Sequence, residues 1–236
     1  MSFLLGGSVR HEQPAQGHRT GIEPVFLAAS IPARAGERVL EGGSGAGAGL
    51  LCLARRVPGV VGVGIEIDAA LAGLAGTNAA ANGLDMLTFH PADLTVWRAA
   101  ARFDHAMANP PWHAPAATVS PDVGKALAKR AVPGLFVAWA RALAGPLRHR
   151  GTLTFVIAAA HADAALAAFG AAGCGSLAVL PLWPRANEAA RLVLVRGIKG
   201  GRGPFRMLPG MVLHAADGGF TPAAQAILRD GGGLPV

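Results

Sequence analysis

Cysteine is nearly absent: the 236-residue chain holds two, Cys52 and Cys174. They stand far apart and neither has a partner at C-x-x-C spacing, which excludes a zinc ribbon or a redox dithiol. A reducing, cytoplasmic setting fits, and no metal is expected. Acidic residues are scarce too, 14 against 21 Lys and Arg, for a net charge of +7 and a pI near 10.9. That excess suits a polyanionic partner such as RNA, although a GC-rich coding sequence inflates Arg in the same way. No apolar run reaches the roughly 18 residues of a membrane span without Gly, Pro or charge interrupting it. The start lacks a basic-then-apolar leader pattern, because Phe3-Leu4-Leu5 is followed at once by glycines. Internal repeats are missing as well. The 52% of hydrophobic residues is enough for one sizeable core with at most an appendage, and it excludes a disordered chain.

The hydrophobic residues fall into a regular alternation. After a polar, glycine-rich stretch to residue 20, Ile22 to Ala29 reads as a short amphipathic helix with Pro24 in its first turn. The segment His18 to Glu23 is either a lid over a site near the first strand or a loose N-terminal arm. Strand-like runs follow at Arg38–Glu41, Val60–Glu66, Met86–His90, Phe103–Ala108 and Gly151–Ala158. Two more, Ser176–Leu182 and Arg191–Val195, are joined by the short connection Trp183 to Glu188. Helices fit between them at Ala48–Arg56, from Asp68 to Asn82-Gly83, at Val132–Leu143 and at Ala162–Phe169, with Asp68 and Gly83 as caps. Strand and helix in alternation imply a mostly parallel sheet covered on both faces. The tail from Gly197 interleaves Lys199, Arg202 and Arg206 with glycines, and Thr221-Pro222 opens a short helix. The expected division is therefore an arm and lid segment over residues 1–36, a main domain over 37–197, and a basic appendage packed on it over 198–236.

One stretch organises the rest: Ala108-Asn109-Pro110-Pro111-Trp112. A buried strand that stops at Asn and two prolines leaves a rigid loop at the carboxyl edge of the sheet, where open α/β folds bind ligands. The Asn109 side-chain carbonyl and the Pro110 main-chain carbonyl are acceptors that can converge on one NH2 group. Trp112 adds a stacking face. A bare Pro-Pro turn is the competing account.

Upstream, Glu41-Gly42-Gly43-Ser44-Gly45-Ala46-Gly47 forms a glycine-rich strand-to-helix turn whose backbone passes close to a ligand and presents helix N-terminal N–H groups to it. Its glycines also satisfy the relaxed G-x-G-x-x-A dinucleotide pattern, so they do not choose between cofactors. The acids favour S-adenosylmethionine (SAM), because a dinucleotide pyrophosphate would be repelled by Glu41. Glu66 ends the second strand, placed to accept from ribose hydroxyls, and Asp93 follows the third, placed to accept from an adenine amine. Each alone also reads as a cap or solvated loop residue; three acids at successive strand ends, then Asn-Pro-Pro-Trp at the fourth, outweigh the dinucleotide reading.

These pieces resemble a family. Gly21-Ile22-Glu23, the Glu41–Gly47 loop, Asn78–Gly83, Phe103–Trp112, Leu180–Pro184 and Gly219-Phe220-Thr221-Pro222 are similar to the bacterial tRNA1(Val) adenine-N6 methyltransferases, over about Arg19 to Leu234. Trp112 replaces the usual Tyr or Phe. The resemblance implies a Rossmann-like class I methyltransferase fold, a seven-stranded, mostly parallel sheet with one antiparallel strand. It implies a cofactor set of Gly21, Glu41, Gly43, Gly45, Gly47, Glu66, Ile67, Asp93, Leu94 and Asn109, and a catalytic loop of Asn109, Pro110, Pro111 and Trp112. The substrate side would comprise His113, Lys125, Lys129, Arg130, Lys199, Arg202 and Arg206, with tRNA as partner. His90 and His105 lie in or beside strands and read as structural. The rival readings are a protein glutamine methyltransferase, whose amide nitrogen the same motif suits, and a non-catalytic module that binds SAM or RNA.

Overall fold

The computed structural model describes residues 2–14, 20–111 and 134–236. Trp112, His113, Lys125, Lys129 and Arg130 therefore lie outside the described residues.

Two short strands come first, β1 Ser2–Leu4 and β2 Val9–His11, paired as an antiparallel hairpin. No strand pattern marks that stretch of sequence, and a polar arm is the expectation. The hairpin forms because Leu5, Val9 and His11 are buried against the main body and its outer edge finds side-chain partners described below. Helix α1, Glu23–Ser30, follows with Pro24 in its first turn, where the missing N–H costs nothing.

The main sheet alternates with helices: β3 Arg38–Gly42, α2 Ala48–Arg56, β4 Val61–Glu66, α3 Ala69–Ala81, β5 Leu87–Pro91 and β6 Phe103–Ala108. The second half holds α4 Leu135–Ala144, β7 Leu147–Ala158, α5 Ala162–Ala171, β8 Cys174–Trp183 and β9 Leu192–Lys199. Across the sheet the strands stand in the order β5-β4-β3-β6-β7-β9-β8. All of these pairs are parallel except β7/β9 and β9/β8, so β9 is the one reversed strand of the seven. This is the expected Rossmann-like methyltransferase sheet.

Strands as buried as β4 and the Gly151–Ile157 part of β7 must be covered on both faces. One face is filled by Phe26, Leu27, Leu50, Leu51 and Leu53 from α1 and α2, the other by Leu143, Ala168 and Phe169 from α4 and α5.

The tail adds to the sheet. Its strands β10 Arg206–Met207 and β11 Met211–Val212 both pair parallel with the outer edge of β8, and α6, Pro222–Leu228, is capped by the Thr221 hydroxyl. The chain end is pinned by Arg196 of β9. Its buried guanidinium donates to the Val236 carbonyl at 2.6 Å, to Thr154 Oγ1 at 3.4 Å and to the Ser30 carbonyl.

Candidate functional site

In a parallel sheet the carboxyl ends of the strands share one edge, and register fixes which residues meet there. Ala108 pairs with Gly42, Gly42 with Ile65, and Ile65 with His90. One residue further along, β6 delivers Asn109, β3 delivers Gly43, and β4 and β5 deliver the pair Glu66 and Pro91. Neighbouring strands are about 4.8 Å apart. The structure thus brings the Asn-Pro-Pro turn, the glycine loop and the second-strand acid together along one edge.

The glycine loop is built by hydrogen bonds that demand its glycines. Gly43 N and Ser44 N both donate to the Ile65 carbonyl, at 2.8 and 3.2 Å. Gly43, Gly45 and Gly47 have φ of +65°, +53° and +90°, a region that side chains disfavour. Close packing adds to this at two of them. A Cβ on Gly43 would come within 2.7 Å of the Trp139 indole, and one on Gly47 within 3.1 Å of Ala75 and Phe89. At Gly45 a Cβ would meet nothing, so that glycine serves the backbone turn alone and its surface is open.

Glu66 does more than wait for a ligand. It is buried, and its Oε2 accepts from Gly45 N at 2.8 Å while Oε1 accepts from Asp68 N at 3.0 Å. It therefore ties the loop to the start of α3, whose first turn Asp68 caps through Ala70 N and Leu71 N. Each carboxylate oxygen keeps a second lone pair for an outside donor. Glu41 sits deeper, under the start of α2. Its Oε2 accepts from Leu50 N at 3.1 Å, and burial, reinforced by the Glu66 charge, pushes its carboxyl up to about 8 against the opposing Leu50 bond.

The remaining residues of the expected cofactor set divide by exposure. Ile67 is 60% exposed immediately after Glu66, an apolar surface beside the acid. Leu94 is buried, with Cδ2 2.6 Å from where a Gly42 Cβ would stand, so it forms a wall beneath the strand end. Asp93 is exposed, and its Oδ1 accepts from Thr95 N and Oγ1, both at 2.8 Å. Gly21 is exposed ahead of α1.

The histidines of the strands are accounted for locally. His105 joins Thr152 Oγ1 at 2.8 Å and Glu37 Oε2 at 3.1 Å, and burial lowers its pKa in spite of Glu37. His90 is exposed and faces Trp97, ring centroids 6.5 Å apart. On the tail, Lys199 Nζ donates to the Ala172 carbonyl at 2.9 Å and so caps the end of α5, whereas Arg202 and Arg206 are exposed.

Trp139, which packs at Gly43, and Asn78, which bonds the Ala46 carbonyl, help to shape the glycine loop, and the sequence does not single them out for that role. Trp139 carries no local signal. Asn78 does: it stands inside a helix whose other residues, Thr77 apart, are Ala, Gly and Leu, where Asn is disfavoured without a partner.

The cradle has what SAM needs. It offers loop N–H groups and an open glycine face, an exposed isoleucine, and in Glu66 a carboxylate suited to ribose hydroxyls. Replacing Glu66 with Ala should weaken SAM binding by about 1–3 kcal/mol, since a shared hydrogen-bond acceptor and the Gly45 anchor disappear together. Calorimetry giving wild-type affinity would remove Glu66 from the site.

Comparison with known proteins gives concordant matches. Residues 22–139 match the family model of the methyltransferase small domain. A tRNA1(Val) (adenine(37)-N6)-methyltransferase of Dickeya chrysanthemi is 35% identical over 111 residues, which is 45% of this chain and 43% of that protein. The chain thus matches less than half the length of that relative. Among solved structures, a chain from Agrobacterium tumefaciens named a predicted O-methyltransferase superposes with a TM-score of 0.74 at 23% identity, over 91% of this chain and 99% of that one. A TehB-like SAM-dependent methyltransferase from Corynebacterium glutamicum superposes with a TM-score of 0.55 at 15% identity, over 76% and 89% of the two chains. Both are similarities of fold.

Proposed function

Since the chain belongs to the methyltransferase small domain family, we propose that it methylates an exocyclic amine of a nucleobase, adenine N6 in tRNA. The observation that carries this reading is Asn109-Pro110-Pro111 leaving β6 beside the glycine loop. SAM supplies a methyl group on a sulfonium, already activated for transfer. The N–CH3 bond would form as the S–CH3 bond breaks and S-adenosylhomocysteine leaves. The methylated nitrogen, cationic and therefore acidic, would give up its extra proton to solvent. What the chain must add is alignment of the amine lone pair with the methyl group, and no strong base is needed. An exocyclic amine delocalises its lone pair into the ring. Two N–H hydrogen bonds, to the Asn109 side-chain carbonyl and the Pro110 carbonyl, would rehybridise the nitrogen and free the pair. Trp112 would stack the base once it has left its neighbours, with His113 against the substrate.

The relative from Dickeya chrysanthemi supports tRNA as the substrate, and so does the net charge of +7. Free cysteines at buried positions suit the cytoplasm, where tRNA is modified. We assign phosphate binding to Lys125, Lys129 and Arg130 and to the tail, in which Arg202 and Arg206 flank the exposed Phe205, a stacking face. Lys199, already engaged with Ala172, should contribute less than these two.

Replacing Arg202 and Arg206 together with Ala should flatten the salt dependence of tRNA binding by roughly 0.7–0.9 in log K per log salt for each phosphate that is no longer neutralised. An unchanged slope would return the tail to a packing role. The function itself is tested by incubating purified protein and SAM with tRNA from cells lacking the gene; N6-methyladenosine in the digested tRNA is the expected product.

A further inference from the structure

The amide of Asn78, on α3, joins two pieces of chain that are far apart in sequence. Its Oδ1 accepts from Glu12 N at 2.8 Å, and its Nδ2 donates to the Glu12 carbonyl and to the Ala46 carbonyl, both at 3.0 Å. It is 1% exposed. One turn later Asn82 repeats the first half of the pattern on Arg10, accepting from its N at 2.8 Å and donating to its carbonyl at 2.7 Å. Each asparagine thus presents to the N-terminal hairpin the acceptor and donor that a neighbouring strand would present. The edge of β2 away from β1 docks on a helix through side-chain amides instead of a backbone ladder. Between these anchors His11 is fully buried; burial holds its imidazole below the ordinary pKa against an opposing interaction with the Ala46 backbone, so the hairpin also meets the loop directly.

Ala46 belongs to the glycine loop. The loop is held from the sheet side by Glu66, through Gly45 N, and from the α3 side by Asn78, through the Ala46 carbonyl. Gly47 adds close packing on Ala75 of the same helix. When the hairpin leaves, the Asn78 side chain loses two of its three bonds and the rotamer that aims its remaining donor at Ala46. The loop must then be ordered by the ligand, at a cost to affinity.

We propose that Asn78 is a positioning residue for the cofactor loop and that, through it, docking of the hairpin and binding of SAM stabilise each other. This rests on the assignment of the Gly43–Gly47 loop as the cofactor cradle. Linkage makes the effect reciprocal: whatever hairpin docking adds to SAM affinity, bound ligand returns to hairpin docking.

The test is amide hydrogen exchange and calorimetry on the full chain, with S-adenosylhomocysteine as the probe. In the wild type, saturating probe should slow exchange at Arg10 and Glu12, whose N–H groups are bonded to Asn82 and Asn78. Asn78→Ala should raise the dissociation constant about tenfold, the effect of one buried hydrogen bond, and shrink the protection that the probe gives at Arg10. Asn82→Ala loosens the hairpin without touching Ala46 and should weaken binding less. Unaltered exchange at both amides in probe-saturated wild type would overturn the coupling without recourse to any variant. Wild-type affinity in folded Asn78→Ala would overturn the positioning role. Failure of the wild type to bind the probe at all would overturn the cradle assignment and the coupling with it.

Discussion

Replacing Asn109 with Ala should lower single-turnover methyl transfer by roughly 10²–10³-fold, far more than it lowers SAM affinity. That is the scale on which one preorganised interaction, made stronger in the transition state than in the ground state, appears in the rate. The alternative gives different kinetics. If Asn109 only prepares the turn before Pro110, the variant should be slightly less stable and its folded fraction should react at a near wild-type rate. Asn109→Asp separates the contributions further, because it keeps an acceptor but places a charge at the end of β6, next to the buried Ala108 and Pro110; partial activity is expected. Single-turnover rates on protein saturated with SAM, with binding measured separately by calorimetry, decide between the two accounts.

The second large effect is on stability. Burial first, then the Glu66 charge, pushes the Glu41 carboxyl from 4.5 up to about 8 against the opposing Leu50 bond. A folded pKa above the unfolded one means that the native state holds a proton which the unfolded chain releases across that interval. The stability associated with it is complete at low pH and is lost as pH rises towards 8, with a slope of up to about 1.4 kcal/mol per pH unit. Glu41→Gln is neutral at every pH and removes that slope. Urea unfolding at a series of pH values should therefore show the wild type losing ground to Glu41→Gln between about pH 5 and 8. Taking the difference between the two proteins cancels His11 and His105, whose lowered values act in the opposite direction near and below about pH 6.5. A difference that does not change with pH would mean that Glu41 is ionised in the folded protein.

The alternation of elements is legible in the sequence because each boundary carries local chemistry. Asp68 accepts from two N–H groups at the start of α3, Gly83 closes it at φ +66°, and Gly43, Gly45 and Gly47 take the left-handed conformations that the loop motif requires. The parts that are not legible depend on partners distant in sequence. The hairpin of residues 2–11 consists of three-residue strands without an apolar pattern, and its outer edge is satisfied by Asn78 and Asn82, some 70 residues later. Strand β7 begins at Leu147, four residues before the expected Gly151, with Arg148, His149 and Arg150 all exposed and Arg150 at φ +66°. A polar run of this kind hides a strand that starts with an irregular register against Phe103. Strands β10 and β11 exist only because β8 offers an open edge. Of the site, the acids and the Asn-Pro-Pro turn follow from strand ends and motif. The packing of Trp139 over Gly43 does not, because nothing local distinguishes that residue from any other apolar side chain of α4.

The central claim, that this site methylates adenine N6 in tRNA, is tested most directly by comparing nucleosides from tRNA of cells with and without the gene, by mass spectrometry. The account predicts that N6-methyladenosine disappears from one tRNA position when the gene is removed and returns when the purified protein and SAM are added to that tRNA. Identical nucleosides in the two tRNA pools, with a methylated glutamine missing from a cellular protein instead, would contradict it.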